Sequence, residues 1–272
     1  MSPSPDGVLL EPLSPKYTEA LVYAATLHRH QPRKGTQTPY LSHLMAVSGL
    51  VLEDGGSEDE AIGGLLHDAA EDQGREVLPY LRHVFGAVVA DIVEGCSDAL
   101  PEAGAEKPPW PQRKASYIDH LLDPHVGQST LRVSAADKLH NARATVTDLR
   151  ISGAWPQSNA CVHQNLWYYE ALSNVFQTRL PGDSRTLQCL VAAVDELFML
   201  TPEVSREGAG NRHPEACDCL GSRNDLAPGE IDPFGGPDYS DEMMSQEDAD
   251  AFLAKLAEID AEIAAEREAD QG

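Results

Sequence analysis

Apolar residues recur every three or four positions through most of the first 200 residues, the spacing of helices that bury one face. The clearest stretch runs from Ser57 to Gln73, where a capping box of Ser57 and Glu60 precedes apolar residues at helical spacing. Similar patterns predict helices at about 15–30, 42–53, 76–85, 87–96, 112–123, 129–148, 159–179 and 184–199. Alternating strand patterns are scarce, so the predicted fold class is all-α.

Breaks in this pattern divide the chain. Residues 101–111 contain four prolines and predict a loop. Residues 203–240 are rich in Gly, Pro, Asn and Asp and predict an irregular linker, followed by a helix at about 245–267 with an apolar stripe. We therefore predict one compact helical domain over residues 1–202, and a largely irregular acidic tail over 203–272.

Charge and composition exclude several classes of protein. The chain has a net charge of −24, and residues 203–272 hold 19 acidic against 5 basic side chains. Such a chain repels nucleic-acid backbones, so we expect no nucleic-acid partner. A signal-type leader and a run of 18 apolar residues are both lacking, which favours a cytoplasmic protein without membrane contact. Five dispersed cysteines do not suggest a disulfide framework.

Polar residues interrupt the apolar pattern near the end of the 57–73 segment. His67 and Asp68 are neighbours, and Glu71 and Asp72 lie one helical turn beyond them, so all four line one edge of the predicted helix. Carboxylates this close repel one another unless a proton or a cation compensates. A divalent metal ion provides that compensation.

Two other predicted helices supply partners for such an ion. Asp137 and Asn141 are four residues apart and share a helix face. His43 lies at the start of an apolar run that follows the break at Pro39. Two imidazoles and two carboxylates suit manganese, iron or zinc, with positions left for water and substrate. The pattern indicates one metal-centred hydrolytic site built from three helices.

At these residues the chain resembles the HD-domain phosphohydrolases, and among them the RelA/SpoT-type alarmone hydrolases. The resemblance runs through HRHQPRKGTQTPYLSH (28–43), LLHDAAED (65–72), VFG (84–86) and SAADKLHNAR (134–143). It covers about residues 18–150 with specific motifs, and the helices up to about 200 more loosely. It implies an HD-domain helical bundle and removal of the 3′-pyrophosphate of (p)ppGpp, or of an adenosine analogue, giving GDP or GTP and pyrophosphate.

The resemblance also assigns roles to residues. It implies that one Mn²⁺ ion is held by four side chains, His43, His67, Asp68 and Asp137. Glu71 and Asp72 would position or activate the attacking water, Asn141 would contact the nucleotide, and Arg33 would stack on the purine. Three departures from the family pattern leave every ligand in place: Leu44 replaces a usual proline, Gln73 replaces a usual threonine, and the segment between Arg33 and Pro39 is one residue longer.

Positive charge beside the motifs fits a polyanionic small substrate. Besides Arg33, the basic residues Lys34, Lys138 and Arg143 are predicted to contact phosphate or base. The residues after Pro202 are too few and too polar for the synthetase domain of bifunctional relatives, so the resemblance is to a stand-alone small alarmone hydrolase.

Other functions stay open at this point. The chain could be a different HD-type nucleotide phosphatase, acting on NADPH or a deoxynucleoside monophosphate, or a non-catalytic nucleotide sensor. A pure sensor has no need of a water-activating pair, which argues against the latter. The sequence also leaves open a homo-oligomer and a protein partner for the tail.

Overall fold

The computed structural model describes residues 12–100, 107–156, 160–202 and 204, all within one compact unit of the chain. These residues form helices and no strand, which confirms the all-α prediction. The helices are α1 (Pro15–Leu27), α2 (Leu41–Glu53), α3 (Glu58–Leu66), α4 (Ala69–Gln73), α5 (Val77–Val84), α6 (Ala87–Cys96), α7 (Trp110–Leu122), α8 (Gln128–Ser152), α9 (Val162–Arg179) and α10 (Arg185–Met199). No described helix is long and apolar enough to span a bilayer.

Local sequence signals begin two of these helices. At α3 the capping box is confirmed: Ser57 Oγ accepts from the Glu60 backbone N–H at 3.2 Å, and Glu60 Oε2 accepts from Ser57 N at 2.7 Å. Pro15 occupies the first turn of α1 as expected. The Ser14 hydroxyl does not cap α1, however, because it donates to Glu58 Oε1 at 2.6 Å and so ties α1 to the start of α3.

The single helix predicted over 57–73 is divided. The α-helix α3 ends at Leu66, and α4 begins at Ala69 after a turn at His67 and Asp68. The physical reason is a side chain that competes with the backbone: His67 Nδ1 donates at 2.9 Å to the Gly64 carbonyl, which a continuous helix would bond to Asp68 N–H. The prediction of an unbroken helix was therefore wrong at the two residues that carry the HD motif.

Two glycines let neighbouring helices approach α3 closely. A Cβ atom at Gly64 would lie 3.0 Å from the Ser48 Cα on α2, and one at Gly63 would lie 2.7 Å from Ile92 Cγ2 on α6. Such contacts are too short for any larger residue. The helices that carry His43 and His67 are thereby brought side by side.

Two apolar clusters support this arrangement. The larger lies among α7, α8, α9 and α10 and contains leucines and aromatic residues such as Tyr117 and Phe176. The smaller lies among α2, α3, α6 and α8 and consists mainly of valine and alanine. Helix α8 belongs to both, so its polar face is held at a fixed position against α2 and α3.

Three predictions concern residues outside the described ranges. Most of the loop predicted at 101–111 falls at 101–106, and α7 begins at Trp110, two residues earlier than expected. The linker and the tail helix at 245–267 also lie outside the described residues. Val204 is buried against the larger cluster, slightly beyond the predicted domain boundary at 202. That boundary stays a prediction.

Candidate metal centre and active site

Four side chains predicted as metal ligands converge from three parts of the fold. His43 projects from α2, His67 and Asp68 from the turn between α3 and α4, and Asp137 from α8. The ligand atoms of His43, His67 and Asp68 all lie within 4.8 Å of one another. Asp137 Oδ1 lies 3.1 Å from His43 Nε2 and 3.7 Å from His67 Nε2. Both imidazoles and the Asp137 side chain are buried.

The hydrogen bonding of His67 fits a metal ligand. A carbonyl oxygen can only accept, so the bond to Gly64 places a proton on Nδ1 and directs Nε2 toward the carboxylates. That Nε2 atom is buried without a hydrogen-bond partner, and Asp68 Oδ2 faces it at 3.0 Å. A ring nitrogen set against carboxylate oxygens is unfavourable unless a proton or a metal ion lies between them. The donor set therefore fits a divalent ion.

The second imidazole is oriented in the same way from the other side. His43 Nδ1 lies 2.8 Å from His140 Nδ1, and Arg33 Nη1 lies 3.3 Å from the same His140 atom. Burial, His43 and Arg33 lower the pKa of His140 to about 4, so His140 is neutral and accepts both bonds. His43 then carries its proton on Nδ1 and presents the Nε2 lone pair to the site.

The electrostatics of the cluster also call for positive charge. Burial alone would lower the pKa of His67, but the carboxylates of Asp68 and Asp137 raise it well above its ordinary value. Burial would raise the pKa of Asp137, but Lys138 and the imidazoles hold it well below its ordinary value. Asp137 is thus anionic, and the raised pKa of His67 shows that these carboxylates stabilise positive charge here, as a proton on His67 or as a metal ion in its place.

Further hydrogen bonds fix the two ligand carboxylates. The Tyr40 hydroxyl donates to Asp68 Oδ2. Asn141 Nδ2 donates to Asp137 Oδ1 at 2.6 Å, and Lys138 Nζ donates to Asp137 Oδ2 at 2.5 Å. Such bonds hold ligand carboxylates in the orientation that metal binding requires.

The two carboxylates predicted to act on water lie at the outer edge of the cluster, on α4. Glu71 is half-buried, with Lys107 Nζ 3.6 Å and Arg113 Nη1 3.8 Å from its Oε1 atom. Burial and the charges of Asp98 and Asp68 raise the pKa of Glu71. Asp72 is more exposed.

The charge state of Asp72 differs from that of the buried ligands. Its Oδ2 atom accepts from Gln31 Nε2 at 2.9 Å. Burial of the carboxyl group and the charge of Asp68 raise the pKa of Asp72 to about 7. A proton acceptor with this pKa is matched to neutral solution.

The five residues predicted to bind substrate occupy different positions. Arg33 Nη2 donates to Asn141 Oδ1 at 3.0 Å, so these two lie together beside Asp137. Lys138 turns inward to Asp137 and lies over the rings of Tyr117 and Tyr168. Lys34 and Arg143 are exposed. Contact of any of the five with a substrate stays a prediction.

Several residues at the site were not singled out from the sequence. Arg113 is ion-paired with the buried Asp98, at 2.6 Å from its Oδ2 atom, and both border Glu71. Tyr40 and Gln31 reach the site from the segment between α1 and α2. A sequence signal existed for Tyr40, which precedes His43 by three residues, but Gln31 and Asp98 meet the site only through the tertiary fold.

Comparison with known proteins agrees with this fold. The family model described as the HD domain matches residues 20–153. The guanosine-3′,5′-bis(diphosphate) 3′-pyrophosphohydrolase MESH1 of Drosophila melanogaster is 32% identical over 133 residues, which cover 48% of this chain and 69% of that protein. MESH1 of Danio rerio is 35% identical over 130 residues, 46% of this chain and 66% of that protein's length.

A solved structure is also similar to this chain. The structure titled "A metazoan ortholog of SpoT hydrolyzes ppGpp and plays a role in starvation responses" is similar with a TM-score of 0.53 and 26% identity, over 72% of this chain and 100% of that one. An all-α bundle with a buried His/Asp cluster is the arrangement of metal-dependent HD-domain hydrolases. The chain belongs to the HD-domain family, in the group that includes the MESH1 pyrophosphohydrolases.

Proposed function

We propose that the protein is a metal-dependent hydrolase that removes the 3′-pyrophosphate of ppGpp or pppGpp, giving GDP or GTP and pyrophosphate. The observation that carries the proposal is the buried Nε2 atom of His67, which has no hydrogen-bond partner and faces the carboxylates of Asp68 and Asp137 beside the two outer carboxylates of α4. The named activity of the MESH1 relatives supports the choice of substrate.

His43, His67, Asp68 and Asp137 would hold one divalent ion, for which we propose Mn²⁺. When bound, such an ion polarises a phosphoryl oxygen and lowers the pKa of water. The mixed set of two imidazoles and two carboxylates suits manganese, iron or zinc, and the resemblance to the alarmone hydrolases favours manganese among them.

Glu71 and Asp72 would orient the attacking water and accept its proton. Asp72 is suited to the second task, because its pKa of about 7 allows it to lose and regain a proton near neutral pH. Glu71 lies within 4 Å of Lys107 and Arg113, whose charges favour its anionic form while it holds water.

The nucleotide would be held by the side chains around Asn141. Arg33 is fixed by Asn141 and His140, so its planar guanidinium is oriented in advance to stack on a purine base. Lys34 and Arg143 are exposed, and we propose that they meet the phosphates of the substrate. Lys138, held against Asp137, would add positive charge beside the departing pyrophosphate.

The proposal extends to the cellular context. A nucleotide substrate and an acidic chain favour a cytoplasmic location without nucleic-acid partners. We keep open a homo-oligomer and a protein partner for residues 203–272.

A panel of substrates with added Mn²⁺ tests the proposed function. The compounds are ppGpp, pppGpp, pppApp, NADPH and deoxynucleoside monophosphates, with products separated by ion exchange and Asp68→Ala as the inactive control. We expect pyrophosphate and GDP from ppGpp, and a preference for pppApp would change only the base. Orthophosphate from NADPH or a monophosphate, with ppGpp untouched, would overturn the proposal. Tight nucleotide binding without any turnover would instead identify a sensor.

A further inference from the structure

The segment between α1 and α2 reaches the outer part of the site through one glutamine. Gln31 Nε2 donates to Asp72 Oδ2 at 2.9 Å. This bond occupies one carboxylate oxygen of Asp72 and leaves Oδ1 for a further hydrogen bond. Asp72 itself lies on α4, a helix of five residues that follows directly on the break at Asp68. A carboxylate on so short an element needs an outside contact to keep one orientation.

A buried histidine fixes the orientation of the glutamine amide. His28 Nδ1 lies 2.6 Å from Gln31 Oε1, and a carbonyl oxygen can only accept, so the proton of His28 is on Nδ1. The amide nitrogen of Gln31 is then directed to Asp72. The His28 side chain is fully buried, its Nε2 atom has no hydrogen-bond partner, and burial lowers its pKa, so the ring stays neutral.

The backbone around Gln31 is also held in place. Tyr40 N–H donates to the Gln31 carbonyl at 2.8 Å, and Gln31 N–H donates to the His28 carbonyl at 3.2 Å. The same segment places the Tyr40 hydroxyl on Asp68. Gln31 is thus anchored at both its main chain and its side chain before it meets Asp72.

We propose that Gln31 is a positioning residue for hydrolysis, which fixes the Asp72 carboxylate toward the attacking water, and that His28 positions Gln31. The inference rests on the proposed function, since it assigns Gln31 a role through Asp72. The hydrogen bonds of the two side chains are to each other and to Asp72, not to the four proposed metal ligands. Their loss therefore slows the chemical step and leaves binding of substrate and metal unchanged.

Two pairs of variants test this inference in the Mn²⁺-loaded protein. Gln31→Leu removes the donor to Asp72, and Gln37→Leu, at an exposed position of the same segment, is its matched control. His28→Leu removes the donor to Gln31, whereas His28→Asn places an amide nitrogen near the position of Nδ1. Turnover of ppGpp, KM, bound manganese per chain and thermal unfolding are measured for each.

We expect kcat to fall about 10- to 100-fold in Gln31→Leu and His28→Leu, the usual cost of a misplaced catalytic group. KM and bound manganese stay at the wild-type values, Gln37→Leu is unchanged, and His28→Asn recovers most of the loss. An unchanged kcat in Gln31→Leu, or a change confined to KM, would overturn the inference.

The remaining outcomes are also decisive. If Gln31→Leu does not fold, equal kcat values for His28→Leu and His28→Asn would overturn the inference, and recovery in His28→Asn would support it. If the wild type does not hydrolyse ppGpp, the proposed function fails and the inference fails with it. Active wild type with unaffected variants defeats the inference alone.

Discussion

The carboxylates of the site fall into an inner and an outer region that the fold treats in opposite ways. In the inner region, Asp137 is buried and Asp68 is half-buried, but both have lowered pKa values, because His67 and Lys138 offset the cost of burial. In the outer region, Glu71 and Asp72 have raised pKa values, because burial and neighbouring carboxylates are not fully offset. The four acidic residues of the site thus divide into two with lowered and two with raised pKa values.

This difference separates two chemical tasks. Permanently anionic groups with fixed hydrogen bonds suit a metal ion, which needs ligands that do not compete with protons. A group such as Asp72, with a pKa of about 7, suits proton transfer. In the inner region, hydrogen bonds with His140, Asn141 and Tyr40 orient the proposed metal ligands. In the outer region, a hydrogen bond from Gln31 orients Asp72.

Removing an inner ligand should have the largest effect. Asp68→Ala is expected to abolish bound manganese and to lower turnover about 1,000-fold or more, because loss of the ion forfeits several kcal/mol of charge stabilisation. Bound metal is measured by elemental analysis and the helical fold by circular dichroism. Undiminished turnover in this variant would contradict the assignment of the inner region.

Neutralising the outer region should slow catalysis without removing the metal ion. Asp72→Asn and Glu71→Gln keep the shape of each side chain, and we expect turnover to fall about 100-fold or more at wild-type metal content. A variant that loses its manganese would show that the two regions are not separate.

The pH dependence of turnover adds a second readout of the outer region. Asp72 accepts a proton only as a carboxylate, so wild-type turnover rises as pH increases through its pKa. That pKa is raised to about 7, and a cation bound beside Asp68 would lower it from this value. Asp72→Asn is expected to lose this rising limb, and its persistence in that variant would assign the limb to another group.

The close approach of α2 and α3 should be sensitive to one added methyl group. Gly64→Ala places a Cβ 3.0 Å from the Ser48 backbone, and we expect a loss of about 1–3 kcal/mol in the free energy of unfolding, with weaker manganese binding. Gly49→Ala on α2 is the control, since a Cβ there meets nothing within 4 Å. Equal stabilities in chemical denaturation would show that the helices can separate without cost.

Removing the acidic tail should have the smallest effect. A chain ending after Val204 keeps that buried side chain and every residue assigned to the site. We expect it to fold and to retain most of its turnover, measured on ppGpp beside the full chain. Loss of hydrolysis in a folded truncated protein would place the tail in the active site.

The sequence predicted features that depend on short-range spacing. The helices and the capping box at Ser57 follow from helical periodicity and residue type, whereas the convergence of His43, His67 and Asp137 was implied by the family resemblance. It did not predict the break after Leu66, because that break arises from a hydrogen bond between the His67 ring and the Gly64 carbonyl.

The sequence also did not predict contacts between residues that are far apart in the chain. The bond between Gln31 and Asp72 spans 41 residues, and Arg113 meets Glu71 only because α7 packs near α4. Lys138 was predicted from its charge to meet substrate, but its ammonium lies against Asp137. Spacing along one helix places a side chain on a face, while its partner depends on what packs there.

A metal titration followed by turnover tests the central claim most directly. Protein stripped with chelator is titrated with Mn²⁺ while bound ions per chain and ppGpp hydrolysis are measured in the same samples. We predict saturation at one ion per chain, with turnover rising in proportion to occupancy and no binding in Asp68→Ala. Full turnover in the stripped protein, or binding of Mn²⁺ that Asp68→Ala leaves unchanged, would contradict a single metal ion held by His43, His67, Asp68 and Asp137.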